Sequence, residues 1–457
     1  MKLKQYILAA LLPGALALNA GDRDVLRSPM PERWTYDSAM EQQLPGDDLW
    51  WRWFDDPVLD SLISMAENAN FDVLAAGHRM DAARRAMQEA RAGYFPVIAV
   101  QGGYSRQRAH GISLNNYDLQ ATASWQIDLF GKVTASARKA KSQYKASRAE
   151  WVGTMVSMAG QLATNYIQMR VWQAELDVAR RHIERQDTVA GIANSRFECG
   201  LASKIDVEQA RSILYSTRAS VPQLETSVHT AISAIALLLG VYPSDIQPML
   251  ERERPLPPHI MPVSAGVPAQ LLRRRPDVVA AEYNLAAAAA ALGIAKKDFL
   301  PTLTIEGSVG VSSDGHGKFF SDHNLAYSVG PTLSWTIFDG MARSARVASA
   351  REEMEALTDT YNYTVMNAFN EVDNALYSYT NALRTVKEYE AARDASAEFY
   401  RLSIDLYTKG LSDFTNVANA QIDLLNYSNS VITARGEALS ALVSLYEALG
   451  GGFGLPD

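Results

Sequence analysis

The chain has one cysteine, Cys199, among its 457 residues. That leaves neither an internal disulfide framework nor a multi-cysteine metal centre open to it. Its seven histidines (His78, His110, His182, His229, His259, His316 and His323) never fall in a His-x-x-x-His spacing, and neither a Gly-x-Ser-x-Gly elbow nor a phosphate-binding loop occurs. No enzyme chemistry, cofactor or metal is therefore expected. Positive charge is in deficit, with 43 Lys and Arg against 51 Asp and Glu. The longest basic run is Arg273-Arg274-Arg275, which speaks against a nucleic-acid partner. Beyond residue 21 no apolar run approaches spanning length, so no transmembrane helix is expected. The apolar fraction of 47% and the charged fraction of 21% are nevertheless those of a folded chain, not a disordered one.

The beginning of the chain reads as an export address. Lys2 and Lys4 precede an apolar stretch from Tyr6 to Leu18. At about 13 residues it falls short of the ~20 that a spanning helix needs, and a signal peptide over 1–20 fits it better. Small residues make cleavage after Ala17 or Ala20 plausible.

The rest is an internal duplication. Trp125-Gln126-Ile127 returns as Trp335-Thr336-Ile337, Cys199-Gly200-Leu201 as Lys409-Gly410-Leu411, and Leu239-Gly240 as Leu449-Gly450, each 210 residues later. Phe95-Pro96 and Leu300-Pro301 match at a spacing of 205. The two halves run over 58–240 and 267–450. Each opens with a helical stretch, 59–92 and 267–298, the second carrying the alanine run 286–291; Pro96 and Pro301 end them. Two strands then follow in each half, at about 97–108 and 117–129 and at about 302–312 and 326–338. Between 117 and 129 alternation is nearly unbroken: Tyr117, Leu119, Ala121, Ala123, Trp125, Ile127 and Leu129 face one way, polar residues the other. In half two Val329, Leu333, Trp335 and Ile337 repeat the pattern. Long Gly- and Asn-rich loops over 110–116 and 314–324 are expected to join each pair. Such strands suit a half-buried soluble sheet or a membrane barrel equally.

After the strands come very long helices. Residues 132–198 contain no proline, and 341–409 neither proline nor glycine. At 1.5 Å per residue either would reach about 100 Å, beyond any globular core. A turn at Gly200 or Gly410 then sends back a helix of about 38 residues. The short helices of each half together match the long one, so they share a column beside it as a tube wall. Four strands cannot close a barrel, and the smallest membrane barrels need about eight. Two copies would make an eight-stranded barrel filled by its own side chains, three a twelve-stranded one with space for a lumen.

Three stretches resemble the TolC-like outer-membrane factors, in particular the multidrug-efflux branch: Trp50-Trp51-Arg52-Trp53-Phe54-Asp55-Asp56-Pro57; Leu272-Arg273-Arg274-Arg275-Pro276-Asp277 with Phe299-Leu300-Pro301; and Trp125 to Gly131, echoed by Trp335 to Gly340. The resemblance covers nearly everything after the signal peptide. It implies a mainly helical fold with membrane β-structure: a homotrimeric twelve-stranded outer-membrane β-barrel, four strands per chain, continuous with a long periplasmic α-helical barrel. Residues 21–57 and 241–266 would belong to an equatorial domain around that barrel, and 451–457 to a tail. It further implies a passive exit duct of a Gram-negative outer membrane, in contact with outer-membrane lipid, for drugs or small molecules delivered by an inner-membrane pump through a periplasmic adaptor. Branch members are usually lipoproteins, but Asn19 and Ala20 stand where a lipid-bearing cysteine would be expected.

By the same resemblance the gate lies at the periplasmic tip, at the turns of Gly200 and Gly410. An acidic ring is implied six and nine residues after Gly410, where this chain has Asn416 and Asn419; asparagine keeps the shape and loses the charge. Asp413 can supply negative charge instead. The closing bond is implied between Tyr407 and Asp206. An arginine two residues after Gly410 is replaced by Ser412, with Lys409 as its candidate substitute. Plainer roles compete: Tyr407 as a packing aromatic, Asp206 and Asp413 as helix-capping or first-turn acids, Arg273 to Asp277 as a helix start with Pro276 in its first turn, and Cys199 as a bystander. Competing functions are a periplasmic coiled-coil adaptor or scaffold and, within the channel class, a type I protein-secretion duct.

Overall fold

The computed structural model describes residues 31, 34, 49–109, 112–252, 254–257, 274–314 and 319–453. The signal peptide, Arg273, most of the N-terminal segment, most of the linker beyond 252 and the last four tail residues lie outside these. The chain divides into two compact units: one of Asp81–Ala146 with Ala281–Thr364, the other of Pro31–Met80, Ser147–Ala280 and Val365–Asp457. Each therefore draws on both halves of the duplication.

In the first unit, β1 (Val97–Ala109), β2 (Ile112–Ile127), β3 (Thr302–Ser313) and β4 (Leu325–Ser334) form an antiparallel meander in the order β1-β2-β3-β4. Register sorts the side chains by face, because directly paired residues point the same way. Tyr104 lies opposite Tyr117, Val100 opposite Ala121, Trp125 opposite Ile305 and Val309 opposite Tyr327. The other face pairs Gln101 with Gln120, Ser124 with Glu306, and Ser308 with Ser328, whose hydroxyls meet at 2.8 Å. One face is thus apolar and the other hydrophilic. The apolar face is not a core: Ile98, Val100, Tyr327 and Val329 are all exposed.

Three strand expectations are corrected. The first hairpin is short, because β1 runs to Ala109 and β2 already starts at Ile112. Asn115 and Asn116, which read as loop residues, pair with Arg106 and Ser105. β4 stops at Ser334, opposite Thr302, because β3 starts only after Pro301. Trp335 and Ile337 follow outside the ladder, and the Trp335 indole N–H donates to the Phe299 carbonyl at 3.0 Å. Trp125 does the same to the Tyr94 carbonyl, also at 3.0 Å.

The helices are α1 (Pro57–Ala69), α2 (Phe71–Ala92), α3 (Lys132–Glu198), α4 (Lys204–Leu238), α5 (Pro243–Leu250), α6 (Pro276–Lys297), α7 (Ala342–Thr408) and α8 (Phe414–Ala448). α3 and α7 have 67 residues each, α4 and α8 35 each. All four boundaries of the second pair lie 210 residues after those of the first. The opening helix of half one is broken at Asn70, contrary to a continuous 59–92 stretch. The Asn70 side chain accepts from the Asp72 and Val73 amides, capping α2, and donates to the Leu238 carbonyl at 2.8 Å. By length and composition alone the 22 residues of α6 would suffice to cross a membrane, more than the absence of a long apolar run implied. The apolarity is largely alanine, and Leu285, Ala287, Ala288 and Leu292 are buried.

In the second unit, a core of Leu59, Leu62, Ile63, Leu162, Tyr166, Ile235, Leu439 and Leu442 is enclosed at one side by tryptophans. Trp50 stacks on Tyr446 and Trp34 on Phe369, at centroid distances of 5.3 and 4.9 Å. The Arg-Pro-Asp stretch does structural work here. Buried Arg275 donates to both Asp277 oxygens, to Glu371 and to the Ala448 carbonyl, and Pro276 opens α6.

Candidate functional site

Two helical hairpins of the second unit, α3–α4 and α7–α8, end in the turns of Gly200 and Gly410. Both glycines are left-handed, with φ of 72° and 75°, a conformation that costs other residues roughly 1–2 kcal/mol. Each turn closes the same way: the Leu201 amide reaches the Arg196 carbonyl and the Gly200 amide that of Phe197, while Leu411 and Gly410 repeat this on Leu406 and Tyr407. Paired six-to-one and five-to-two bonds around a left-handed glycine end a helix sharply, so the return helix starts within a few residues.

Tyr407 and Asp206 are brought together between the two hairpins. Tyr407 is buried in an apolar cluster with Val189, Ala193, Val207 and Val417 and meets Phe414 edge-on at 5.3 Å. Burial pushes its phenol pKa up, the Asp206 carboxylate adds to the rise, and the Arg196 guanidinium opposes it. The hydroxyl is near both charges yet closes no aligned hydrogen bond to either. Asp206 meanwhile accepts from the Ser203 hydroxyl at 2.7 Å in the first turn of α4. Tyr407 thus packs as an aromatic, Asp206 is a first-turn acid behind the Ser203 cap, and the charge contact is added to these roles.

The residue that spans the hairpins is one the sequence did not single out. Arg196, in the last turn of α3, donates to the Thr408 carbonyl of α7 at 2.8 Å and lies over the Tyr407 ring, 4.9 Å from its centroid. A base in a final helical turn fits the C-terminal end of the helix dipole. That was the available signal, but it points to α3 itself and not across to α7. Lys409 does not stand in for the missing arginine: it pairs with Asp405 on its own helix at 2.6 Å. Asp413, Asn416 and Asn419 are all exposed. Asp413 precedes α8 without capping it through its side chain, and the Asn416 amide donates to the Ser412 hydroxyl at 2.9 Å. Cys199 is exposed beside the first turn.

Apart from the tip, a second polar feature of this unit is Glu447. It borders an open cleft of about 730 Å³ with Gly153, Ser157, Arg275, Asn374 and Ser444. Burial raises its carboxyl pKa to about 7.

The sequence pattern described as "Outer membrane efflux protein" matches residues 62–241 and again 267–451, once for each half. Nodulation protein T of Rhizobium leguminosarum bv. viciae is 28% identical over 98% of this chain and 94% of its own length. The pyoverdine export outer membrane protein OpmQ of Pseudomonas aeruginosa is 28% identical over 99% and 97%. Among solved structures, the outer-membrane channel OprN superposes with a TM-score of 0.86 at 29% identity, covering 93% of this chain and 98% of that one. The sheet with one apolar and one hydrophilic face, the paired long helices and these likenesses agree: the chain belongs to the outer membrane efflux protein family and is a TolC-like efflux channel of the Gram-negative outer membrane.

Proposed function

We propose that three copies of this chain form the exit duct of a tripartite efflux system, working with a periplasmic adaptor and an inner-membrane pump, and that the duct closes at the Gly200 and Gly410 turns. One observation carries the trimer. Among the described residues the four-stranded sheet is open, β1 and β4 each have a strand partner on one side only, and the exposed apolar face suits lipid. A sheet edge of this length left unpaired would invite association. Pairing β4 of one copy with β1 of the next satisfies both edges, and twelve strands leave a lumen. Light scattering of the detergent-extracted protein, corrected for bound detergent, tests this: a trimer is expected, and a monodisperse monomer would overturn it.

At the gate, Arg196, Tyr407 and Asp206 hold the two hairpins of one protomer together, and Asp413, Asn416 and Asn419 face the constriction. Support comes from the Arg196 contact to α7 and from the charge environment of Tyr407. Cross-linking and co-purification with inner-membrane proteins test the tripartite part. Recovery of an adaptor and pump is expected, and isolation as a free-standing pore from cells that express both would contradict it.

A further inference from the structure

The helical turns next to the sheet have a charge pattern that the duct itself does not need. From Leu129 to Ala146 the chain carries five bases (Lys132, Arg138, Lys139, Lys141 and Lys145) and no acid. At the start of α7 the same holds: Arg343, Arg346 and Arg351 occur before the first acid, Glu352. The sign then reverses, because 352–364 contains four acids and no base. On α7 the basic zone is therefore confined to the first turns beyond the strands, while on α3 it runs on to Arg148 before the first acid, Glu150.

Some of these bases are committed. Lys132 pairs with Asp298 at 2.7 Å, Arg343 with Asp339 at 2.7 Å, and Lys145 donates to the Tyr283 hydroxyl at 3.1 Å. Among the described residues, Arg138, Lys139, Lys141 and the exposed Lys296 of the last turn of α6 have no such partner. The helix N-termini are not what attracts an anion here, because Asp128 already accepts from the Val133 and Thr134 amides and Asp339 from that of Arg343. A second observation lies between sheet and bases: Phe95, Leu129, Trp335, Ile337, Phe338 and Met341 are each more than half exposed.

We propose that this collar binds anionic glycerophospholipid in the periplasmic leaflet, acyl chains against the apolar belt and phosphate against Lys296 and against Arg138 and Lys141, which at a spacing of three share one face of α3. The geometry suits it. Arg138 and Lys141 stand about 9 and 14 Å along α3 from its first residue, and side chains on a helix tilt toward its N-terminus, here the sheet end. Long basic side chains beside an apolar surface keep their stems on it and their heads at the polar boundary. The polar zone of one leaflet is only about 5–7 Å deep, so these bases reach it through that backward tilt and the length of their side chains.

The proposal rests on outer-membrane residence, so its test monitors that separately. The full-length protein in non-ionic detergent is offered equal phosphatidylglycerol and phosphatidylcholine, and retained lipid is counted by native mass spectrometry. Preferential retention of phosphatidylglycerol is expected. It should weaken in 0.5 M salt and resist millimolar inorganic phosphate, which lacks the chains. Each neutralised base should lower that affinity about fivefold, so Arg138→Gln with Lys141→Gln should lower it about 25-fold and leave phosphatidylcholine retention unchanged. If the double variant does not assemble, Arg138→Gln alone gives the fivefold step. Equal retention of both lipids by the unmodified protein, or undiminished preference in a variant that still fractionates with the outer membrane, would overturn the proposal.

Discussion

Replacing Arg196 with alanine removes two contacts at once: the hydrogen bond to the Thr408 carbonyl and the stacking of the guanidinium on the Tyr407 ring. A hydrogen bond from a charged group is worth about 1.5 kcal/mol at the lower end, and an exposed cation–π contact about 0.5. Because the bond is solvent-exposed, about 1.5 kcal/mol per protomer is the fair total. If three protomers open together, about 4.5 kcal/mol is lost from the closed state, roughly a thousandfold in the open-to-closed ratio at 1.4 kcal/mol per decade. Tyr407→Phe behaves differently. Its hydroxyl closes no well-aligned hydrogen bond, although Asp206 and Arg196 stand within weaker reach of it, so deletion leaves the Phe414 contact intact and should shift the closed state by about 0.5 kcal/mol, the low end for a hydrogen bond. In planar bilayers Arg196→Ala should therefore raise mean single-channel conductance, and cells carrying it should admit bulky hydrophilic antibiotics, whereas Tyr407→Phe should do neither. The opposite ranking would refute the argument and return the clasp to a direct Tyr407–Asp206 bond.

With Asn416 and Asn419 neutral, trivalent cations applied from the periplasmic side should block weakly, and Asn416→Asp with Asn419→Asp should strengthen the block in a way that fades as salt shortens screening to about 10 Å at 0.1 M. Strong block of the unmodified channel that vanishes in Asp413→Asn would move the gate charge to Asp413. Glu447, with its pKa raised to about 7, is ionised more easily unfolded than folded; stability should fall as pH rises from about 4.5 to about 7 and then level off. Thermal melts should accordingly find Glu447→Gln neutral at pH 4 and stabilising by about 1–2 kcal/mol at pH 8, after allowance for its partial exposure. Trp125→Phe and Trp335→Phe each delete one indole bond to a carbonyl, worth about 1 kcal/mol, and each should lower the heat-dissociation temperature of the assembled channel by a similar amount.

Where physics is local, the sequence was a good guide. The first long helix runs from Lys132 to Glu198, the limits that its lack of proline suggested, because a left-handed glycine marks the turn beyond it. Where the deciding partner is distant in sequence, pattern was silent. Asn70 sits in an unbroken helical periodicity; its side chain caps α2 locally, and the distant Leu238 carbonyl takes its remaining amide donor. Asn115 and Asn116 look like loop residues until they pair across the sheet: Asn116 falls on the hydrophilic face, and Asn115, on the other, accepts from the Tyr104 hydroxyl at 3.3 Å. The end of β4 is set by Pro301, 33 residues earlier in the chain, through where β3 begins. At the tip, Tyr407 and Asp206 were found through family likeness, and Arg196 was missed because its partners belong to the other half of the chain.

Equal helix lengths in both halves have a further meaning at the turns. Position 206 of the first half corresponds to position 416 of the second, and 203 to 413, by the same shift of 210. The chain places Ser203 and Asp206 at one pair and Asp413 and Asn416 at the other. A ring assembled from six separate identical hairpins would be obliged to repeat one chemistry at every station. Fusion of two hairpins into one chain releases that constraint. Alternate stations can then specialise, the first hairpin spending its carboxylate on tying Ser203 and facing Tyr407, the second leaving its own exposed.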